Sequence, residues 1–170
     1  MDSQDINTQE KMLEWAIHEA VTQHFGKVDK AGMPYILHPL RVMMAMETLE
    51  EKIVAVLHDV AEDGFLPRSR LIEYTSGKIA EAVYTVTRGN QESYEDFIQR
   101  IRKNELATRV KIADLHDNLD RSRIKNPTEK DLQRFQKYEK ALIALQGVAK
   151  TKPDYQGKLR RKKQNQKEVF

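Results

Sequence analysis

Apolar residues recur at three- and four-residue intervals along most of this chain, and that spacing restricts it to packed helices more than any composition figure does. Leu13, Ala16, Ile17, Ala20 and Val21 follow the i, i+3, i+4, i+7, i+8 pattern of one helical face. Asn7 and Glu10 are placed as a capping pair before them. After Gly26 a polar connection, Lys27 to Met33, leads to Pro39, where a second helix is expected to begin because the fixed φ and missing N–H of proline cost little there. Val42, Met43 and Met46 supply its buried stripe. A third helix is expected from near Glu50, carrying Ile53, Val54, Leu57, Val60 and Ala61 and stopping at Gly64.

Further along, Pro67 and Ser69 precede a short helix, and Gly77 punctuates the chain. The segment Ile79 to Val86 fits a helix, while its β-branched residues leave a strand open. Ser93 with Asp96 opens a helix through Phe97, Ile98 and Ile101, and Asn104 caps the next, through Val110, Ile112, Ala113 and Leu115. Thr128 with Asp131 opens the last, through Leu132, Phe135, Tyr138, Leu142 and Leu145, ending at Gly147. Roughly seven helices with no convincing strand pair and no solenoid-length repeat predict an all-α fold, a compact multi-helix bundle.

A chain of 170 residues is long enough to bury one core without staples. We place that domain at residues 5–148, followed by a basic tail over 149–170. Residues 150–170 hold eight Lys/Arg against two acidic residues, so the rest of the chain carries −3 of the overall +3. A solvated tail is the preferred reading; contact of Lys158, Arg160, Arg161, Lys162 and Lys163 with nucleic acid or acidic lipid is the alternative. The chain has no cysteine, which excludes thiol nucleophiles, disulfides and thiolate metal sites and leaves His, Asp and Glu as metal ligands. Met1 to Glu10 is polar rather than signal-like, and no apolar run reaches membrane-spanning length, so a cytoplasmic protein without membrane contact is expected.

His58 and Asp59 stand side by side inside the apolar run Ile53 to Ala61, with Glu62 and Asp63 one turn on. Buried polar groups of this kind must be paired or bound to something, because an unsatisfied buried charge costs several kcal/mol. His38, directly before Pro39, and Asp114, after Val110, Ile112 and Ala113, repeat the anomaly. Two imidazoles and two carboxylates suit a divalent first-row ion. Spacing alone leaves such a site and ordinary core residues both open. His18, His24 and His116 read as ordinary core or surface residues, and Asp117 and Asp120 as solvated ones.

Three segments resolve this further by resemblance. Gly32-Met33-Pro34-Tyr35-Ile36-Leu37-His38-Pro39-Leu40, Leu57-His58-Asp59-Val60-Ala61-Glu62-Asp63 and Lys111-Ile112-Ala113-Asp114 occur in the order found in HD-domain phosphohydrolases. Over roughly residues 10–145 the chain resembles the hydrolase domain of bifunctional guanosine tetraphosphate synthetase/hydrolases and the small alarmone hydrolases. The resemblance implies a compact HD-domain bundle and a single metal, usually Mn²⁺, held by His38, His58, Asp59 and Asp114. It assigns Glu62 and Asp63 to proton handling, one as general base and the other positioning water, in either order. It also implies nucleotide contacts at Lys30, Arg88, Asn118 and Tyr138.

The implied activity is metal-dependent hydrolysis of a nucleotide phosphate or pyrophosphate ester, led by the 3′-pyrophosphate of guanosine tetraphosphate. Two positions depart from the family pattern. Asp29 stands where an arginine is usual, and Asp117 where the Arg-Leu-His-Asn run has histidine. Hydrolysis of another nucleotide and a non-catalytic nucleotide-sensing module therefore stay open as alternatives, and a homo-oligomer is compatible with either.

Overall fold

The computed structural model describes residues 8–62 and 66–147. Among these residues the chain forms eight α-helices: α1 (Gln9–His24), α2 (Leu37–Met44), α3 (Leu49–Glu62), α4 (Arg68–Tyr74), α5 (Gly77–Val86), α6 (Tyr94–Ile101), α7 (Glu105–Asn118) and α8 (Glu129–Gln146). A short 3-10 turn lies at Arg121–Arg123. The all-α expectation holds, the β pairing among the described residues being an isolated bridge between Val28 and Pro34. None of the described helices is long and apolar enough to cross a membrane. Asn7, Gly64, Asp63 and the basic tail over 149–170 lie outside the described residues.

Helix α3 is the axis of the bundle. It packs against α1, α2, α5 and α7, and Ile53, Val54, Ala55, Val56, Leu57 and Val60 on its several faces are all fully buried. A helix that is apolar all round has no solvent face to present and is driven to the centre. Any polar side chain on its middle turns is therefore delivered into the interior. Helix α7 is nearly as enclosed, burying Val110, Lys111, Ile112, Ala113, Asp114 and Leu115. Helices α6 and α8 close the bundle over α7.

Helix ends follow their caps. Ser76, Ser93, Asn104 and Thr128 each accept a hydrogen bond from the third backbone amide beyond, and Thr128 with Asp131 completes a reciprocal capping box. The residue capping α1 is Thr8, which accepts from Lys11 N. Helix α2 starts at Leu37, two residues before the expected Pro39, so the proline sits in the first turn, where its missing N–H still has no intrahelical partner to lose. Residues Ile79 to Val86 are helical; Ser76 caps them, and their β-branched side chains pack on α3. The α1–α2 connection turns at Gly26 and Gly32, both at φ +77°, a left-handed conformation open to glycine.

The start of α3 holds an ion pair that anchors it to α7. Glu51 Oε2 accepts from the amides of Glu47 (3.1 Å) and Thr48 (3.0 Å), Thr48 Oγ1 accepts from Glu51 N, and Arg109 donates to Glu51 Oε1 at 2.9 Å. Burial alone would raise the pKa of Glu51, but the Thr48 amide, Arg109 and the Glu47 amide together bring it below the ordinary glutamate value. Its stabilisation is thus present above the unfolded-state pKa of about 4.3 and is lost as pH falls through the lower folded-state value. Glu51→Gln is expected to cost about 1–3 kcal/mol at neutral pH, with the difference from wild type shrinking on acidification. Urea denaturation at several pH values checks this; equal midpoints at pH 7 would contradict it.

Candidate metal centre

Four side chains from three helices converge: His38 from α2, His58 and Asp59 from α3, and Asp114 from α7, with Asp59 partly buried and the other three buried. His38 Nε2 lies 3.2 Å from Asp114 Oδ1 and 3.5 Å from Asp59 Oδ2. His58 Nε2 lies 3.1 Å from Asp59 Oδ1 and 3.6 Å from Asp114 Oδ1. One ligand atom each from His38, His58 and Asp114 falls within 4.8 Å of the others, so this group could hold a metal ion. Asp59 flanks it, close to both imidazoles.

The surrounding hydrogen bonds orient every member. His58 Nδ1 lies 2.7 Å from the Ala55 carbonyl oxygen, which can only accept, so the proton is on Nδ1 and Nε2 is left facing the carboxylates. That Nε2 is fully buried and makes no hydrogen bond. His38 Nδ1 likewise donates to Asp117 Oδ2 at 2.7 Å. Tyr35 donates its hydroxyl to Asp59 Oδ2 at 2.7 Å. Asp114 accepts from Lys111 Nζ on one oxygen and from Asn118 Nδ2 on the other, both at 2.6 Å. Imidazoles tied at Nδ1 with Nε2 turned inward, and carboxylates held from behind, form the arrangement that fixes metal ligands.

The electrostatics point the same way. Burial alone would lower the pKa of His58, but the charge of Asp59 and the contacts with Asp114 raise it well above the ordinary imidazole value. His38 is raised by Asp114 and Asp117 against the same burial. Asp59 and Asp114 are held below the usual carboxylate range despite burial, Asp59 mainly by His58 and Asp114 mainly by Lys111. Two buried carboxylates beside two inward lone pairs require positive charge, supplied either by protons on the rings or by a cation between them. The donor set, two imidazole nitrogens and carboxylate oxygens, suits a divalent first-row ion.

The other expected site residues fall around this cluster. Glu62 ends α3 on the solvent side, its carboxyl raised by desolvation, lowered by Lys111 and raised again by Asp59, with a net upward shift. Asp63 lies outside the described residues. Asn118 is bound to Asp114 through both its carboxylate and its carbonyl oxygen (3.1 Å), and so orients a candidate ligand. Lys30 reaches across to α8, pairing with Asp131 at 2.6 Å. Arg88 donates to the Glu92 carbonyl, with its guanidinium 6.0 Å from the Tyr94 ring. Tyr138 has its ring 6.2 Å from that of Tyr94, and Lys137 sits 4.5 Å over Tyr94. The Tyr94 hydroxyl is buried without a hydrogen-bond partner, and burial pushes its pKa up to about 12. Arg88, from the α5–α6 connection, and Tyr138, from α8, thus share one aromatic, basic wall around Tyr94 of α6.

Sequence reasoning gave no site role to Tyr35, Lys111, Asp117 or Arg41. Asp117, expected to be solvated, has a side chain only 13% exposed and holds both His38 and Arg41. A signal existed: Arg41 and Asp117 stand three residues after His38 and Asp114, on the same helix faces as those two residues. Asp120 does cap the 3-10 turn at the surface. Among the described residues, the metal-capable group includes none of His18, His24 and His116. Asp29, the departure in the α1–α2 loop, accepts from the amides of Ala31 and Met33 and so shapes its own turn.

No family model matches the chain. Among curated proteins, the guanosine-3′,5′-bis(diphosphate) 3′-pyrophosphohydrolase of Aquifex aeolicus (strain VF5) is 32% identical over 117 residues, covering 64% of this chain. The chain spans 17% of the length of that relative. Among solved structures, a metazoan ortholog of SpoT, described as hydrolyzing ppGpp and playing a role in starvation responses, superposes with a TM-score of 0.70 at 22% identity. The match covers 82% of this chain and 88% of that one, and establishes a shared fold. The resemblance to HD-domain alarmone hydrolases therefore extends from the order of three sequence segments to the architecture that carries them.

Proposed function

We propose that this chain is a metal-dependent phosphohydrolase that cleaves a phosphate or pyrophosphate ester of a nucleotide, with the 3′-pyrophosphate of guanosine tetraphosphate as the leading substrate. The observation that carries the reading is the convergence of His38, His58 and Asp114, flanked by Asp59, with both imidazoles tied at Nδ1 and their Nε2 atoms turned to the carboxylates. The activity of the Aquifex relative and that described for the metazoan ortholog support the choice of substrate. Mn²⁺ is the proposed ion. When bound, such an ion activates water and shields phosphate charge.

The chain's own residues supply the rest. Lys111 and Asn118 hold Asp114, Tyr35 holds Asp59, and Asp117 with the Ala55 carbonyl holds the rings, so the ligand set is preorganised. Glu62 stands one turn beyond His58 with its pKa raised, suited to accept the proton of the attacking water. Asp63 is assigned to the same proton handling. The water oxygen bonds to phosphorus as its proton passes to the carboxylate, the phosphorus–ribose oxygen bond breaks, the ribose oxygen takes up a proton to become a 3′-hydroxyl, and pyrophosphate and the nucleotide are released. Arg88 and Tyr138 are assigned to the nucleotide, an assignment supported by their shared neighbour Tyr94, while Lys30 would exchange its Asp131 partner to join them. Action on a cytoplasmic nucleotide belongs to the same reading.

A second reading, hydrolysis of a different nucleotide, is favoured by Asp29: its carboxylate is committed to the loop amides and cannot stack on guanine as an arginine would. Phosphate and pyrophosphate release from a nucleotide panel with added Mn²⁺ separates the two. Wild type is expected to release pyrophosphate from guanosine tetraphosphate, and His58→Ala to release none. Release from another nucleotide alone would move the assignment to that substrate. Silence across the panel would overturn catalysis in favour of a nucleotide-sensing module. Glu62→Gln is expected to lower turnover by about 10²–10⁴-fold while Mn²⁺ binding, followed by calorimetry, stays within twofold of wild type; undiminished turnover would remove Glu62 from the chemistry.

A further inference from the structure

Helices α2 and α7 face each other through two matched rungs. His38 opposes Asp114, and one turn on, Arg41 opposes Asp117. The second rung is a fork: Arg41 Nε donates to Asp117 Oδ1 at 2.7 Å and Nη2 to Oδ2 at 3.0 Å. Asp117 Oδ2 also accepts from His38 Nδ1 at 2.7 Å, tying the rungs together. Arg123 closes the far side, pairing with Asp117 Oδ2 at 3.2 Å and donating to the Asp117 carbonyl. The carboxylate is thus fixed by two guanidiniums before it meets the imidazole.

An ionised carboxylate has no proton to give, so the ring nitrogen it touches must be the donor. Arg41 donates to both oxygens of Asp117 and Arg123 pairs with Oδ2, a two-guanidinium clamp that selects the carboxylate form. The two neutral tautomers of an imidazole are otherwise close in energy, and which one is present follows from the bond made by the other nitrogen. Only the Nδ1–H form leaves a lone pair at Nε2.

We infer that Asp117, clamped by Arg41 and Arg123, is a positioning residue that sets the tautomer and orientation of His38 and so keeps its Nε2 open toward the metal centre. This rests on the metal-site reading above. His58 obtains the same tautomer from the Ala55 carbonyl of its own helix, which no substitution can remove. His38 depends on a side chain from another helix. The centre is therefore asymmetric: one imidazole is fixed by backbone, the other by a replaceable carboxylate.

The test compares wild type, Asp117→Ala, Asp117→Asn and His58→Ala as full chains. Long-range proton–nitrogen NMR in alkaline solution without metal reads the His38 tautomer, and calorimetric titration with Mn²⁺ reads affinity. We expect the Nδ1–H form in wild type, a mixture of tautomers in Asp117→Ala with Mn²⁺ bound about 10–100-fold more weakly, and near wild-type behaviour in Asp117→Asn, which keeps one acceptor oxygen for the ring. Should Asp117→Ala fail to fold, Asp117→Leu removes the acceptor at equal size. A wild-type His38 protonated at Nε2, or an Asp117→Ala protein with unchanged tautomer and affinity, would overturn the inference. Equal Mn²⁺ binding by wild type and His58→Ala would instead overturn the metal-site reading, with the tautomer result still deciding whether Asp117 governs the ring.

Discussion

Two carboxylates and two imidazole lone pairs meet at the middle of a helical bundle, each Nε2 lying 3.1–3.6 Å from an oxygen of both carboxylates, and that local excess of negative potential is the constraint on which the rest of the architecture depends. In a low-dielectric interior such a set persists only if positive charge or donors surround it. The protein provides both. Lys111, Asn118 and Tyr35 donate to the two carboxylates, Lys111 remaining charged because Asp114 outweighs the effect of its burial. The inward edge is left to the imidazole nitrogens. A cation completes that edge as protons do, with the difference that a divalent ion also brings water and phosphate to the same point.

The bundle is arranged to make this burial possible. Helix α3 carries His58 and Asp59 because it is apolar on every face and so lies at the axis, and α2 and α7 flank it with His38 and Asp114. Helices α6 and α8, with Arg88 from the α5–α6 connection, supply a wall of Tyr94, Tyr138, Arg88 and Lys137. The α3 terminus places Glu62 where the buried cluster meets solvent. Under the proposed function, backbone position separates three tasks: holding charge, meeting substrate and moving a proton.

The sequence made much of this legible, and the gaps have physical causes. Capping residues marked helix starts well, since Ser93, Asn104 and Thr128 each do their work within three residues of chain. The box Thr48-Leu49-Glu50-Glu51 was readable by the same rule but lay hidden before an acidic stretch. The segment Ile79 to Val86 was ambiguous because β-branched residues lower helix propensity only slightly, and packing on α3 decides the outcome. At the site, His38, His58, Asp59 and Asp114 could be named from pattern and resemblance, since each interrupts an apolar run. Asp117 could not: its partners Arg41 and His38 are 76 and 79 residues away, and a charge on a helix end looks solvated until the opposing helix is in place. Lys30 shows the converse, a basic residue whose partner Asp131, 101 residues on, ties it to the start of α8.

The central claim is that His38, His58, Asp59 and Asp114 form one metal centre. Anomalous diffraction from crystals grown with Mn²⁺ tests it most directly. The account requires a single strong peak bounded by the Nε2 atoms of His38 and His58 and the carboxylates of Asp59 and Asp114, with Asp117 still bonded to His38 Nδ1. A map with no peak there at saturating Mn²⁺, or with the imidazoles turned to place Nδ1 inward, would contradict it.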